Sequence, residues 1–404
     1  MSAAALLRAA PAVVNAPPLT DLAAVLADLT VRFAETADRH DRDASFPFEN
    51  FEALRAAGLL TLTAPRALGG GGADLPTALE VVRAVARGES ATALVLVMQY
   101  LFQASLDGVR SGWPEAVKRR IVESSLNQGA LINALRVEPD LGTPARGGLP
   151  ATIARRTDDG WRISGRKIYS TGSVALTWMI VWARTDEPEP RVGGFLVHKD
   201  APGWRIEETW DHTGLRASAS HDVVFEDTPI PFEHALSPTL PGVPPAPDPV
   251  MGVWAPVLTS AIYDAVAQAA RDWFVDWLIE RKPANLGASL ATLPRFQELV
   301  GEIDGLLFQN RVLLDSAARG EIGAAEASLV KHLVTENAIR AVEKAVAASG
   351  NPGLSRSNAL QRHYRDVLCG RIHTPQGDVV LTAAGKAAIA SRTPASAAEP
   401  ARGG

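Results

Sequence analysis

A single cysteine, Cys369, stands among 404 residues, which excludes an internal disulfide and fits a reducing compartment. Runs of basic residues are missing too. The formal net charge is −5, and no cluster of Lys and Arg marks a face for DNA or RNA. No stretch reaches the roughly 18 uninterrupted apolar residues that a membrane span needs. His, Asp and Glu do not gather at metal-site spacing, so no metal is expected, and no internal repeat is visible. Apolar residues make up 47% and charged residues 21%, an ordinary balance for a cytoplasmic enzyme-sized protein. The chain is too long for one small core, so two or three packed units are expected. The Ala-rich start, with Arg8 as its early charge and prolines at 11, 17 and 18, reads as a frayed leader rather than a signal peptide.

What is present changes character twice along the chain. Residues 20–130 read as mostly helical. Apolar residues recur at three-and-four spacing from Thr20 to Ala37, with Thr20 or Asp21 as N-cap, and again over Phe51–Leu60, 75–87 and 91–106. The four glycines Gly69–Gly72 interrupt them. Residues 131–236 carry β-branched runs, Trp-rich segments and the turn pair Asp159-Gly160, the signature of a compact β-barrel or sandwich. Pro238–Pro249 reads as a stiff linker. Periodic Ala/Leu/Val-rich segments at 257–281, 294–319, 323–349 and 358–370 predict a four-helix bundle over 250–390. The tail, 391–404, is Ala/Pro/Gly-rich and expected to be disordered.

Two stretches in the β-region stand out: Gly165-Arg-Lys-Ile-Tyr-Ser-Thr-Gly-Ser173 and Gly214-Leu-Arg-Ala-Ser-Ala-Ser220. Others accompany them in order. They are Leu59–Gly70, Ala134-Leu-Arg-Val-Glu-Pro-Asp-Leu-Gly-Thr143, Val223–Pro231, Arg295-Phe-Gln297 and Arg362-His-Tyr-Arg-Asp366. Each is weak alone. Together, over residues 20–390, the chain resembles the acyl-CoA dehydrogenase superfamily. The resemblance implies an α+β multidomain fold: an N-terminal helical domain, a middle β-barrel domain and a C-terminal four-helix bundle. It also implies a flavin between the β-domain and the bundle, and assembly as a homotetramer. Taken without that context, Tyr169 and Trp178 would be core aromatics, Lys167 a solvated strand residue and Arg216 a surface cation.

A flavin needs hydrogen-bond donors along its N5, O4 and O2 edge and a flat apolar wall. The resemblance therefore points to Tyr169, Ser170, Thr171, Arg216, Ser218 and Ser220 as cofactor contacts, with the Thr171 hydroxyl or amide aimed at N5. Arg281 matches an arginine that the family places against the adenosine half of FAD from a neighbouring subunit, and Gln297, in the bundle's Phe-Gln pair, is a further cofactor contact that the resemblance implies. Lys282-Pro-Ala-Asn285 lacks the family's Phe-Gly, however, and the glycine element survives only as Gly350-Asn-Pro-Gly-Leu354, so FMN is as plausible as FAD.

The catalytic glutamate of the dehydrogenases has no counterpart. Its usual position falls on Thr374, and its second position falls near Ala255, with Asp264 the nearest acid. A threonine is no general base at neutral pH without a partner. The arrangement Arg365, Asp366, His373, Pro375 instead resembles the flavin-dependent monooxygenases of this fold, which take reduced flavin from a separate reductase and activate O2. That makes His373 and Thr171 the candidate catalytic residues. His363, His332 and His212 have weaker claims. The alternatives are an acyl-CoA or acyl-carrier-protein dehydrogenase with Asp264 as displaced base, passing electrons to an electron-transfer flavoprotein, and a flavin-binding protein of low turnover.

Overall fold

The computed structural model describes residues 21–107, 112–141, 148–242 and 248–392. The leader, the centre of the proline-rich stretch and the tail from 393 lie outside the described residues, so the readings of leader and tail are not addressed.

The first helices follow the sequence pattern. α1 (Leu22–Asp43) starts where the Asp21 side chain accepts from the Ala24 amide at 3.1 Å, and it buries Leu26, Leu29, Phe33 and Ala37 at helical spacing. α2 (Phe48–Ala56), α3 (Leu75–Gly88), α4 (Ser90–Ala104) and α5 (Glu115–Gln128) follow. α4 is apolar nearly all round and correspondingly buried. Glu89 caps it, accepting from the Ala91 amide at 3.0 Å and the Thr92 hydroxyl at 2.6 Å.

The β-region forms a mixed sheet from β1 (Leu131–Leu135), β2 (Ile153–Thr157), β3 (Gly160–Lys167), β4 (Leu176–Thr185), β5 (Val192–His198), β6 (Trp204–Glu207), β7 (Asp222–Ile230) and β8 (Ala235–Thr239). The order is β6-β7-β3-β2-β4-β5-β8, with β1 parallel to β4. β8 takes in Pro238, so the segment read as linker begins as a strand, at the sheet edge where proline is tolerated. Asp158 and Asp159 make the β2–β3 hairpin turn, one residue before the pair expected, and Gly160 opens β3 opposite Thr157, at φ 152° and so close to the Ile230 carbonyl that a Cβ would collide. Trp178, as a core aromatic, pins α5 to the sheet: its indole donates to Ser124 Oγ at 3.0 Å.

Beyond the proline-rich stretch, a π-helical turn (Val250–Trp254) opens α6 (Ala255–Glu280). Then come α7 (Pro294–Ala318), α8 (Ala324–Ser349), the short α9 (Asn351–Leu354), α10 (Leu360–Leu368) and α11 (Gly377–Ala390). By length and composition Val250–Glu280 passes as a membrane span, which a search for uninterrupted apolar runs misses. Yet 67% of its apolar window is buried inside the protein, as for the central helix of a bundle.

α10 joins the parts. Arg365 grips the Asp41 carboxylate of α1 with bonds of 2.9 and 2.5 Å, and Arg362 pairs with Asp38. Asp366 is buried: one oxygen accepts from the Leu215 amide at 2.7 Å, the other from Ser90 Oγ at 2.7 Å. Gly214, just before, packs on the Arg365 carbonyl so tightly that no Cβ fits. Burial pushes the Asp366 carboxyl up to about 6, against the pull of these two bonds. The folded state therefore holds this proton where a free carboxyl, at 3.8, has lost it. The stability from this group is full below pH 3.8 and is lost as the pH rises through about 6. An asparagine can keep both bonds, accepting from Leu215 and donating to Ser90. Denaturant titrations at pH 4 and pH 7 should show Asp366→Asn gaining on the wild type by roughly 2 kcal/mol at the higher pH. An unchanged difference between the two proteins would remove this titration from the account.

Candidate active site

β3 ends at Lys167, and the chain turns through Tyr169, held at φ 55°, a left-handed conformation that costs a bulky residue energy and needs support from its surroundings. The support comes from the second motif. The Ser170 amide donates to the His221 carbonyl at 3.1 Å, the Gly172 amide to the Ser218 carbonyl at 2.8 Å, and Ser173 Oγ to the Ala219 carbonyl at 2.7 Å. Residues 169–173 and 214–221, distant in sequence, are thus interlocked.

The hydroxyls at this junction form a directed series. Ser220 Oγ donates to Thr171 Oγ1 at 3.1 Å, and Ser218 Oγ lies 2.8 Å from Ser220 Oγ. A hydroxyl has one proton, so Ser218 must donate to Ser220, and Thr171 keeps its own proton to give away. The Thr171 amide is not available: it donates to the Tyr169 carbonyl at 3.0 Å. Of the two Thr171 donors considered from the sequence, only the hydroxyl remains. The Thr171 carbonyl is held by Asn133 Nδ2 at 2.9 Å. Ser170 Oγ is buried without a partner, an unmet demand of the kind a ligand or water meets. Tyr169 is not a core residue. It is 54% exposed and stands edge-on to Trp210 and His212, which stack on each other at 3.8 Å.

Lys167 is not solvated. Its side chain is wholly buried, with Nζ 2.6 Å from Glu138 Oε1 and also bonded to the Trp182 carbonyl. Glu138 in turn accepts from the Ala151 amide at 2.6 Å and the Thr152 hydroxyl at 2.6 Å. Burial lowers the Lys167 ammonium to about 8, opposed by the Glu138 carboxylate. This pair anchors the strand end from which Tyr169 departs. Arg216 is no free surface cation either: its Nε donates to the Asp41 carbonyl at 2.7 Å and its Nη1 to the His212 carbonyl at 3.0 Å. It fastens the second motif to the end of α1.

His373 follows α10. Its Nδ1 makes a short hydrogen bond to the Tyr263 hydroxyl, the rings lying 5.8 Å apart at 28°. Lys331 of α8 donates to the His373 carbonyl and to the Gly370 carbonyl, both at 2.7 Å, which fixes the loop. Burial, with the nearby Lys331 cation, pushes the imidazole down to about 4, so it is neutral at physiological pH. Among the described residues no hydrogen bond or ring contact joins His373 to Thr171. They are related through the docking of loop 214–220 on α10. Thr374 is exposed. His363 is buried and lowered to about 3 by desolvation.

Other candidates fall elsewhere. Asp264 is fully buried in the bundle, where Gln268 (2.7 Å) and Asn310 (2.9 Å) occupy its oxygens and burial raises its pKa. Arg281 and Gln297 are exposed around the α6–α7 connection. Arg281 lies about 27 Å along α6 from Tyr263, at 1.5 Å per residue, and among the described residues no hydrogen bond joins Arg281 or Gln297 to Thr171, Ser218 or Ser220. Surface hollows of about 500 and 720 Å³ flank α1, lined by Arg83 and Asp315 or by Asp28 and Glu52, away from this junction. Among the described residues no three metal-binding side chains gather. Sequence reasoning missed the roles of Tyr263, Lys331, Glu138 and Trp210. The one hint was that Lys167 and Glu138 both sit inside the quoted motifs.

A helical layer, a mixed sheet and a helical bundle, clasped by an arginine–aspartate helix, define the acyl-CoA dehydrogenase type of subunit. The chain belongs to the acyl-CoA dehydrogenase superfamily: models of its N-terminal, middle and C-terminal domains match residues 22–113, 136–228 and 265–376. It is 36% identical to a putative acyl-CoA dehydrogenase, YdbM, of Bacillus subtilis (strain 168), over 86% of this chain and 91% of that protein. It is 29% identical to the amino sugar nitrososynthase DnmZ of Streptomyces peucetius, over 89% and 91% of the two chains. The structure of KijD3 in complex with FMN and a dTDP-linked 3-amino-4-keto sugar superposes with a TM-score of 0.78 at 28% identity, covering 93% of this chain and 96% of that one.

The junction suits a flavin: the free Thr171 proton and the unpaired Ser170 hydroxyl are donors for an acceptor-rich ring edge. Thr171→Ala should weaken FMN binding about fivefold, the scale of one net hydrogen bond, whereas Thr171→Ser should bind as the wild type. Quenching of FMN fluorescence on titration reads this directly, and equal affinity for the alanine variant would take Thr171 out of the contact.

Proposed function

We propose that the chain is a flavin-dependent monooxygenase that accepts reduced flavin from a separate reductase and uses O2 to oxygenate a small organic substrate. One observation carries the reading. Where a dehydrogenase of this superfamily has its glutamate, this chain has Thr374, and beside it a neutral imidazole, His373, fixed by Tyr263 and by Lys331. Such a group can hold or exchange a proton on bound oxygen, whereas α-proton removal from an acyl thioester calls for a carboxylate. Bound flavin would supply the electrons and the oxygen-activating centre. Thr171 would orient it through its hydroxyl, with Ser218 and Ser220 behind, while Tyr169 and Trp210 would shelter its face. The likeness to an amino sugar nitrososynthase and to a protein holding FMN supports FMN and an oxygenation. Arg281 and Gln297 would then serve a flavin of a neighbouring protomer in a tetramer.

The 36% relative named as a putative acyl-CoA dehydrogenase favours the second reading, with Asp264 as base. Both Asp264 oxygens are occupied inside the bundle, which counts against it. Mixing flavin-loaded protein with butyryl-CoA, and separately reduced-FMN protein with O2, distinguishes the two. Bleaching by butyryl-CoA belongs to the dehydrogenase; a transient absorbance unlike oxidised or reduced FMN belongs to the oxygenase.

Under the oxygenase reading His373→Ala should keep FMN affinity and the fold, with a thermal midpoint a few degrees lower because the buried Tyr263 hydroxyl loses its acceptor. With reduced FMN, O2 and a panel of nucleotide-linked amino sugars, it should lose oxygenated product by on the order of 10²-fold and release more hydrogen peroxide. Full coupling of flavin oxidation to product in that variant would make His373 a packing residue.

A further inference from the structure

The bundle contains a buried phenol that the proposed chemistry does not yet use. Tyr263 lies on α6, is fully buried, and is walled by Gly370, where a Cβ would meet its ring at 2.9 Å. Among the described residues its hydroxyl has one hydrogen-bond partner, His373 Nδ1. A phenol must place its proton somewhere, and a buried hydroxyl proton without an acceptor costs about 1–3 kcal/mol. Burial keeps this phenol protonated, its pKa raised well above the ordinary value. A neutral imidazole has one nitrogen that accepts and one that donates. Were Nδ1 the protonated nitrogen, both groups would point a hydrogen at each other, or the Tyr263 proton would have no acceptor.

We propose that Tyr263 is a positioning residue for His373: by donating to Nδ1 it fixes the tautomer that carries its proton on Nε2. His373 then presents a hydrogen-bond donor, not a lone pair, on the edge away from Tyr263, where among the described residues Nε2 has no partner. Lys331, by holding the His373 carbonyl and the Gly370 carbonyl, fixes the backbone from which the ring projects. The inference deepens the oxygenase reading and rests on it for its consequence. A donor on that edge suits an oxygen gaining negative charge, whereas the base a dehydrogenase needs would require the opposite tautomer.

The tautomer can be read without flavin or turnover. Nitrogen-15 solid-state NMR of sedimented, ligand-free protein with labelled histidine distinguishes protonated from unprotonated ring nitrogens, and loss of signals in His373→Asn assigns them. The expected wild-type spectrum has an unprotonated Nδ1 and a protonated Nε2 at pH 7, in one population. Tyr263→Phe should give a mixture of tautomers with the thermal midpoint little changed. In turnover with reduced FMN, O2 and the same amino sugar panel it should lower coupled product about tenfold, the scale of one hydrogen bond to a buried group, with FMN affinity retained. A protonated Nδ1 in the wild type, whatever the variant does, overturns the proposal. So does a Tyr263→Phe spectrum identical to the wild type's. If the spectra behave as expected but the wild type oxygenates nothing and oxidises butyryl-CoA, the assignment of Tyr263 stands and the oxygenase reading falls.

Discussion

The site depends on the buried carboxylate of Asp366. It takes a hydrogen bond from Ser90 at the start of α4 and another from the Leu215 amide in the sheet's long loop, while Arg362 and Arg365 of the same helix hold α1. One turn of helix thereby touches every layer of the subunit. A buried carboxylate is costly unless its oxygens are engaged, and here the partners are those whose positions must be set. Without it, the Leu215 amide and the Ser90 hydroxyl would be left buried and unpaired.

From that clasp the geometry runs in two directions. Toward the sheet, fixing Leu215 fixes Ser218 and Ser220, whose hydroxyls align the proton of Thr171. Toward the bundle, α10 passes through Gly370 into His373, seated between Tyr263 and the ammonium of Lys331. The two proposed reacting groups do not touch each other. They are held to the same clasp from opposite sides, which keeps the sheet's loop and the bundle in register without a hydrogen bond between the two residues.

Two lysines show how far local expectation departs from the folded environment. Lys167 and Lys331 are both almost fully buried, and burial pushes each down to about 8. Lys167 is matched by Glu138. Among the described residues the hydrogen-bond partners of Lys331 are the Gly370 and His373 carbonyls, which occupy two of its three donors, while the nearby Glu336 carboxylate favours its charge. Such a group persists because carbonyl dipoles at a loop end are fixed by the fold and cost nothing to orient. Removing either lysine would release a strand end or a loop end on which a site residue stands.

The helices, the strands and the order of the three parts were legible in the sequence because they follow from periodicity and from punctuation by glycine, proline and capping residues, all local signals. α6, α7 and α8 begin and end within two residues of the predicted segments. The motifs around Tyr169 and Leu215 were legible as motifs, and so was Thr374, beside His373, at the place where the resemblance puts a glutamate. What each side chain touches was not. That Lys167 faces Glu138 rather than water, that the Thr171 amide is already spent on Tyr169 while its hydroxyl is free, and that Asp264 is enclosed by amides all depend on which faces meet after packing. The pairing of Tyr263 with His373 spans 110 positions, and neither residue carries a local mark of the other. Hydrogen bonds of this kind are decided by the directions in which helices present their side chains, and only the packed tertiary structure sets those directions.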